Sequence, residues 1–447
     1  MLTYQDFEEV QDKKEFISRA IQGFKNSEMY KNAVDADLYY QEENTTILDR
    51  KKTFIGASKM KVIDITKANN QIPSGFFPVI VKQANNYLLG GGIDLGDENK
   101  IKDKLGKNFE IKVQRAGINA HIEGVSWAYC FLSSKGGFDV DIWKGIEFIP
   151  LLDESNGLLR AGIRFWQIDS SKPIYVELYG ENGKSKYKIK ENKIELIEEE
   201  KAYIITRSKD ALEESVTGES NWSMLPIVPL FVKDNHKGDL VVGLKNKIDL
   251  YDIIQSDFGN NLEDMQDVYW TIKNYSGQDL DTFIEDLKFY KSVKVGSEGD
   301  ATPHTVEIPW QAREKALSIL RSDIYEGAMA LDTDRISGGN ITNLDIKAMF
   351  TNLDLKTNEF EWNCKDFIEG IITLYKEFSK DTTDYSIKFT RNTLVNESEI
   401  IESIALFRED ISQRKALELN PMIANDEIEK IIEDTEKESV GRVEVIE

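Results

Sequence analysis

Apolar positions along this chain change their spacing four times. From residue 5 to residue 41 they recur at helical intervals, ending in Leu38-Tyr39-Tyr40. Val79, Ile80, Val81, Ala84, Tyr87, Leu88 and Leu89 predict a second helix, stopped by Gly90-Gly91-Gly92. Lys107 to His121 predicts another. Between Val125 and Leu196 the period falls to two. Short runs rich in aromatic and β-branched residues (SWAYCFLS, IEFIPLL, IRFWQID, PIYVELYG, KYKIKENKIELI) alternate with Gly, Asn, Asp and Ser turns, which predicts an antiparallel meander. Residues 208 to 223 are polar and read as a loop. LPIVPLFV, residues 225 to 232, reads as a buried strand that Pro226 and Pro229 limit to an edge or a bend.

Helical spacing then returns. Leu244, Ile248, Tyr251, Ile254, Phe258, Leu262, Met265 and Val268 step by three or four, predicting a helix from Asp239 to about Asn274. Trp310 to Ala330 predicts a second long helix. Between them, residues 275 to 309 read as a small α/β insert, with a helix over Asp279 to Tyr290 and a hairpin-like pair KSVKV and HTVEI. The stretch LDTDRISGGN, residues 331 to 340, interrupts the helices because Gly338-Gly339 is costly inside one. Thr342-Asn343-Leu344-Asp345 has the form of a capping box, and the helix it opens runs to Ser379. The tail from Asn396 to Glu438 is helical and acidic, split by Pro421. Long helices joined by a short charged hinge need neighbours, or copies of themselves, to cover their faces. The fold class is α+β.

The 447 residues suggest two to four units, and 40% hydrophobic content supports a sizeable core. A net charge of −23 argues against tight binding along a DNA backbone or to an anionic membrane. The two cysteines, Cys130 and Cys364, make no disulfide framework and fit a reducing compartment. The N-terminus has no apolar run of the signal-peptide kind, and no stretch reaches the roughly 18 apolar residues of a membrane span. The expectation is a protein made and used in cytoplasm.

Catalytic chemistry has little support. Gly180-Glu181-Asn182-Gly183-Lys184-Ser185 imitates the end of a phosphate-binding loop, but two residues separate its glycines where four are required, and no helix follows. It reads as a hairpin turn. His121, His236 and His304 lie far apart, without metal-ligand spacing. Asp332, Asp334 and Asp345 do not form a Ca²⁺-loop pattern. No enzyme activity, metal or cofactor is expected. On residues alone, a helical scaffold or adaptor and an enzyme with an unrecognised site in the 125–232 meander stay open.

The stretch from Leu225 to Met265 resembles a signature of portal proteins of tailed phages that infect Gram-positive bacteria. There a proline-rich strand and an Asn-Asn turn lead into a helix of the form I-D-x-Y-N-x-x-x-S-D-x-x-N. Pro226, Pro229, Phe231, Asn235, Ile248, Asp249, Tyr251, Ser256, Asp257 and Asn260 match; Asp234 and Asp252 stand where Asn is common. Leu38-Tyr39-Tyr40 and Ile80 to Gly90 resemble the family's early helices, ISGGNITNLDIKAMF its Gly-preceded long helix, and ALELNPMIANDEIEKIIEDTEKE its crown, although Asn425 replaces a common Asp.

The resemblance implies a homo-oligomeric ring of about twelve copies at one capsid vertex. Double-stranded DNA would pass through its channel without sequence readout, and terminase, head-completion and capsid or scaffolding proteins would be its partners. It implies a wing (residues 1–242 and 342–395), stem helices (243–274 and 310–330), a clip (275–309), a tunnel loop (331–341) and a crown with an acidic tail (396–447). Ile248, Tyr251, Ile254, Phe258, Arg313 and Arg321 would belong to the stem, and Phe283, Leu287, Tyr290, Lys294, Val306 and Ile308 to the clip. Asp332, Thr333, Asp334, Arg335, Ile336, Ser337, Gly338, Gly339 and Asn340 would form the loop facing DNA. The expected location is the virion, after assembly in the host cytoplasm.

Overall fold

The structure, a computed structural model, describes residues 2–55, 59–64, 67–96, 101–133, 136–191, 193–210, 213–264, 269–273, 300–304, 309–336, 342–392, 397–406, 412–419, 428 and 430–435. It mixes helices with antiparallel sheets, the α+β class expected. The chain opens with α1 (Tyr4–Glu8), α2 (Lys13–Asn26), α3 (Glu28–Tyr40) and α4 (Thr45–Leu48), then the hairpin β1 (Thr53–Ile55) and β2 (Lys61–Ile63). Next come α5 (Phe76–Leu89), β3 (Ile93–Asp94), α6 (Ile101–Lys104) and α7 (Phe109–Glu123). Strands follow: β4 (Val125–Leu132), β5 (Phe138–Lys144), β6 (Phe148–Leu152), β7 (Leu159–Trp166), β8 (Ile174–Gly180), β9 (Gly183–Lys190), β10 (Lys193–Lys201), β11 (Ile204–Asp210), β12 (Glu213–Ser220) and β13 (Ile227–Phe231). The rest is α8 (Val242–Asp264), β14 (Tyr269–Lys273), β15 (Asp300–His304), α9 (Trp310–Gly327), α10 (Asn343–Ser379), β16 (Lys388–Phe389), α11 (Glu397–Leu406) and α12 (Gln413–Leu419).

Two compact units emerge. The first comprises Met1–Ala33, Ile80–Asp239 and Met329–Glu447. Its meander is split between two sheets, β10-β9-β8-β7-β6 and β13-β4-β5, because the chain turns at Gly145–Glu147 after β5. Helix α2 lays Phe16, Ile17, Ala20, Ile21 and Phe24 against the five-stranded sheet, on Ile149, Leu151, Ile163, Phe165, Val176 and Leu178. Those helix positions fall on one face at the 3.6-residue period, and the strand positions alternate. Helices α7 and α10 cover the three-stranded sheet, packing Val113, Ala116 and Ala120 with Phe360, Cys364, Phe367, Ile368 and Ile371 on Ala128, Cys130, Val228 and Leu230. Gly117 permits this approach: a Cβ there would sit 2.1 Å from the Asn85 Oδ1 and 3.2 Å from the Phe360 ring. Of the edge or bend that the prolines allowed, β13 takes the edge, with Pro229 inside it.

One buried charge cluster ties this unit together. The Asp239 carboxylate, 4% exposed as a residue, lies 2.6 Å from the Lys356 Nζ on α10, 2.8 Å from the Lys233 Nζ and 2.8 Å from the His121 Nδ1 on α7. Burial opposes ionisation of Asp239, but Lys356, His121 and Lys233 outweigh it and hold the carboxyl well below its usual range. Burial pulls His121 down as well.

Three expectations are corrected. Residues 208 to 223 are not a loop; β11 and β12 pair over Ile204–Asp210 and Glu213–Ser220. Their polar composition hid the strands, since the backbone hydrogen bonds that hold a two-stranded ribbon leave no mark on the sequence. The 5–41 stretch is three helices, broken before Lys13, where Asp12 accepts from the Lys14 amide, and at Ser27, which accepts from the Tyr30 amide. The helix expected to reach Asn274 ends at Asp264, and Tyr269–Lys273 instead pairs with Asp300–His304. YWTIK is aromatic and β-branched, so its apolar residues suit a period of two as well as a helical one. KSVKV and the 279–290 helix lie outside the described residues, as do Phe283, Leu287, Tyr290, Lys294, Val306 and Ile308.

Candidate functional site

The second unit, Val34–Val79 with Leu240–Ala328, contains the antiparallel pair α8 and α9. The Lys247 Nζ donates to the Asp323 carbonyl at 3.0 Å, while Phe258, eleven residues further on, lies under Arg313, which fixes the opposite directions. Tyr251 meets the edge of Phe76 at 4.8 Å between ring centres, and Phe76 meets Tyr325 at 5.7 Å. The Arg321 guanidinium stands 5.3 Å from the Tyr325 ring centre. The structure thus brings Tyr251 and Arg321 into one aromatic cluster and puts Phe258 with Arg313.

The buried face of α8 differs from the one its apolar spacing suggests. Leu244, Ile248, Asp252, Ser256 and Asn260 are each at most 3% exposed, whereas Leu262 of the apolar stripe is 52% exposed. Each polar member seizes the chain that precedes α5. Asp252 Oδ2 accepts from the Asn44 Nδ2 at 2.8 Å. The Ile72 amide donates to the Ser256 Oγ at 3.0 Å, and the Asn70 amide to the Asn260 Oδ1 at 2.5 Å. Beside them, Asp257 holds a bidentate pair with Arg50 at 3.1 and 3.0 Å and meets the Lys52 Nζ at 2.5 Å. Asp249 accepts from Tyr39 and, at 3.1 Å, from Asn44.

The electrostatics follow from this packing. Burial holds Asp252 above the usual carboxylate range. For Asp257 burial acts the same way, but Arg50 and Lys52 outweigh it and the carboxyl falls below that range. Burial and the bond to Asp249 push the Tyr39 hydroxyl up to about 12. The I-D-x-Y…S-D-x-x-N pattern is therefore a polar clamp: its carboxylates, hydroxyl and amide strap an otherwise irregular segment onto a long helix. Sequence reasoning singled out Asp249, Ser256, Asp257 and Asn260 but missed their partners Tyr39, Asn44, Arg50, Asn70 and Ile72. The signal was the spacing of 249, 252, 256 and 260, which puts four polar groups on one helical face.

The loop after α9 starts under restraint. The Leu331 amide donates to the Gln83 Oε1 at 3.1 Å and Gln83 Nε2 donates to the Leu331 carbonyl at 2.9 Å. Asp332 Oδ1 accepts from the Asp334 amide, and Thr333–Ile336 forms a 3₁₀ turn. Ser337, Gly338, Gly339 and Asn340 lie outside the described residues, as does the side chain of Arg335. The capping box predicted at the restart is present: the Asp345 amide donates to Thr342 Oγ1 at 3.2 Å, and the Thr342 amide to Asp345 Oδ2 at 3.2 Å.

The chain matches the phage portal protein family of the SPP1 Gp6-like type over residues 13–441. It belongs to that family. The portal protein of Bacillus phage SPP1 is 24% identical over 422 residues, covering 88% of this chain and 80% of that protein. The portal protein of Clostridium phage phiCD119 is 26% identical over 368 residues, covering 75% and 78%. Among solved structures, the neck of an empty gene transfer agent particle aligns with a TM-score of 0.44 at 10% identity, over 77% of this chain and 90% of that one.

The remaining chemistry of this portal-family chain can be placed. Gly180 and Gly183 pair across a hairpin turn, and Lys184 lies 3.8 Å from Glu177 and 5.0 Å from the Tyr129 ring centre. A Cβ at Gly183 would stand 2.1 Å from the Lys201 carbonyl oxygen, so the close backbone approach requires the glycine there. The adjoining cleft of about 350 Å³ is lined by Phe131, Lys186, Glu198 and Tyr203 among others. Among the described residues no group of His, Cys, Asp and Glu is arranged to hold a metal ion, and no helix is long and apolar enough to cross a membrane.

Proposed function

We propose that this chain is the portal of a phage-type particle: a closed ring of about twelve copies at one capsid vertex, through which double-stranded DNA enters and leaves. The observation that carries the reading is the family match over 13–441. The clamp gives it a physical basis, because Asp249, Asp252, Ser256, Asp257 and Asn260 are engaged in holding α8, while its Leu250 and Leu262 are left exposed. In this reading α8 and α9 are the stem. Residues 275–309, with the β14–β15 pair at their base, are the clip that docks terminase and head-completion proteins, and residues 396–447 are the crown. The 331–341 loop faces the channel, where one Arg335 per copy contacts phosphates in turn without reading sequence. The chain has no catalytic role of its own; a separate motor supplies the energy. Its place is the portal vertex of the virion, reached by assembly in the host cytoplasm together with capsid or scaffolding proteins.

Electron microscopy of the purified protein, viewed down its axis, tests the reading together with native mass spectrometry. A ring with an open axis and a mass of about twelve chains is expected. A monomer or dimer persisting at micromolar concentration across salt conditions, in the presence of capsid protein as well, refutes it. Within such rings, replacing Gly338 and Gly339 by Ala is expected to spare assembly and impair DNA packaging or retention, and Arg335→Ala to weaken retention modestly. Normal packaging by both variants removes the loop from the channel mechanism.

A further inference from the structure

Arg313 differs from Arg50 and Lys52 of the same unit. Its guanidinium rests on the Phe258 face, 5.8 Å from the ring centre, and its Nη1 is buried with no hydrogen-bond partner among the described residues. A buried guanidinium nitrogen without an acceptor is destabilising, and a facing carboxylate would offset the cost. Its position near the start of α9 adds to the penalty, because that end of a helix is electropositive. By contrast Arg50 and Lys52 in the same unit each have a carboxylate. Two large apolar side chains near Arg313 are exposed: Trp310, one turn earlier on α9, is 56% exposed, and Leu262, one turn beyond Phe258 on α8, is 52% exposed. The next residue, Glu314, is exposed.

We propose that a second copy of this chain completes the Arg313 site, with Glu314 of one copy pairing with Arg313 of the next while Trp310 and Leu262 close over the pair. The inference rests on the ring reading above and names the contact that holds its stem. A ring contact joins two different faces of the same chain. Consecutive helical residues point about 100° apart, so Arg313 and Glu314 present the two halves of one ion pair in different directions. Each copy therefore carries both the unsatisfied cation and a carboxylate to satisfy its neighbour. An ion pair closed over by an indole and a leucine is shielded from water, where it contributes more than on an open surface.

Charge exchange tests this directly. Arg313→Glu places two carboxylates in every contact and Glu314→Arg two guanidiniums; each is expected to raise the concentration needed for half-assembly by roughly tenfold or more. The double variant Arg313→Glu/Glu314→Arg restores an ion pair of opposite sense and is expected to recover assembly. Mixing the two single variants one to one is expected to give rings as well, because alternating copies place opposite charges in every contact. Mass photometry reads all four samples, and the difference in tryptophan emission between wild type and Trp310→Phe should show a blue shift for Trp310 on assembly. If the single variants assemble like wild type, or the double variant is no better than the singles, the pair is refuted while the ring stands. A wild-type chain that forms no ring under these conditions overturns the ring reading, and this contact with it.

Discussion

Along α10 the residues turned inward are Phe350, Leu353, Thr357, Phe360, Cys364, Phe367, Ile368, Ile371, Ile372, Leu374 and Tyr375. Along α8 they are Leu244, Ile248, Asp252, Ser256 and Asn260. The first helix is held by apolar burial within its own unit, supplemented by Lys356 on the buried Asp239. The second is held mainly by directional hydrogen bonds to a segment about two hundred residues away in sequence. Apolar burial consumes a helix's apolar face. A polar clamp leaves apolar residues such as Leu250 and Leu262, at 47% and 52% exposure, for other contacts. A helix that keeps a face for a further surface benefits from the second arrangement, whereas a helix enclosed in its own unit benefits from the first.

The sharpest way to break this contrast is to excavate α10. Phe367→Ala removes a fully buried ring from the helix–sheet core and should destabilise the first unit by about 3–5 kcal/mol, read as a lower denaturant midpoint. A loss below about 1 kcal/mol would mean α10 is not anchored by apolar burial.

Asp239→Asn comes next. It leaves Lys356 buried without its counter-charge and should cost about 3 kcal/mol. The same cluster makes the protein acid-labile. Asp239 and His121 both have folded-state pKa values below their unfolded ones, so the unfolded chain binds more protons and their contribution is present at neutral pH. It should fade as pH falls, through His121 below its ordinary value near 6.5 and through Asp239 below the usual carboxylate range. Thermal melts at successive pH values should show this slope in wild type and a flatter one in Asp239→Asn. An equal slope in both would acquit the cluster.

Ser256→Ala with Asn260→Ala should cost about 1–2 kcal/mol, confined to the second unit, because each removes one hydrogen-bond acceptor. Hydrogen exchange should accelerate at the Ile72 and Asn70 amides while Cys364 and its neighbours in α10 stay protected. Uniform acceleration everywhere would show that the clamp is not local. Thr342→Ala, which removes the cap where α10 begins, should cost about 1 kcal/mol. The smallest effect is Lys184→Ala, for which no change in nucleotide binding is expected; saturable ATP binding lost in that variant would reinstate the phosphate-loop lookalike.

The elements that were legible were those whose side chains repeat a clear period or a local stop signal. The Thr342–Asp345 cap, the Gly90 stop after α5 and the turn at Glu181–Asn182 all depend on neighbours within a few residues, and all were readable. The β11–β12 hairpin was not, because its polar residues carry no burial signal. The end of α8 was not, because the helical stripe carries on in the sequence through Met265 and Val268, beyond Asp264, the last described residue of the helix. At the clamp, half the site was legible. Asp249, Ser256, Asp257 and Asn260 stood out, but nothing near Asn44, Arg50 or Asn70 in the chain announces a partner beyond residue 240.

The sequence by itself determined the α+β class, the order of long helices and strands, the absence of a phosphate-loop spacing at Gly180–Ser185, and the family to which the chain belongs. These follow from local spacing and from an ordered set of motifs. Tertiary structure alone decided which face of α8 is buried, that Asp239 sits among His121, Lys233 and Lys356, and that Arg313 lies on Phe258 with Nη1 unpartnered among the described residues. The physical reason is that helical period specifies which residues share a face but not what that face meets. A carboxylate reads the same in sequence whether water, an amide from a distant strand, or a lysine in the core will surround it.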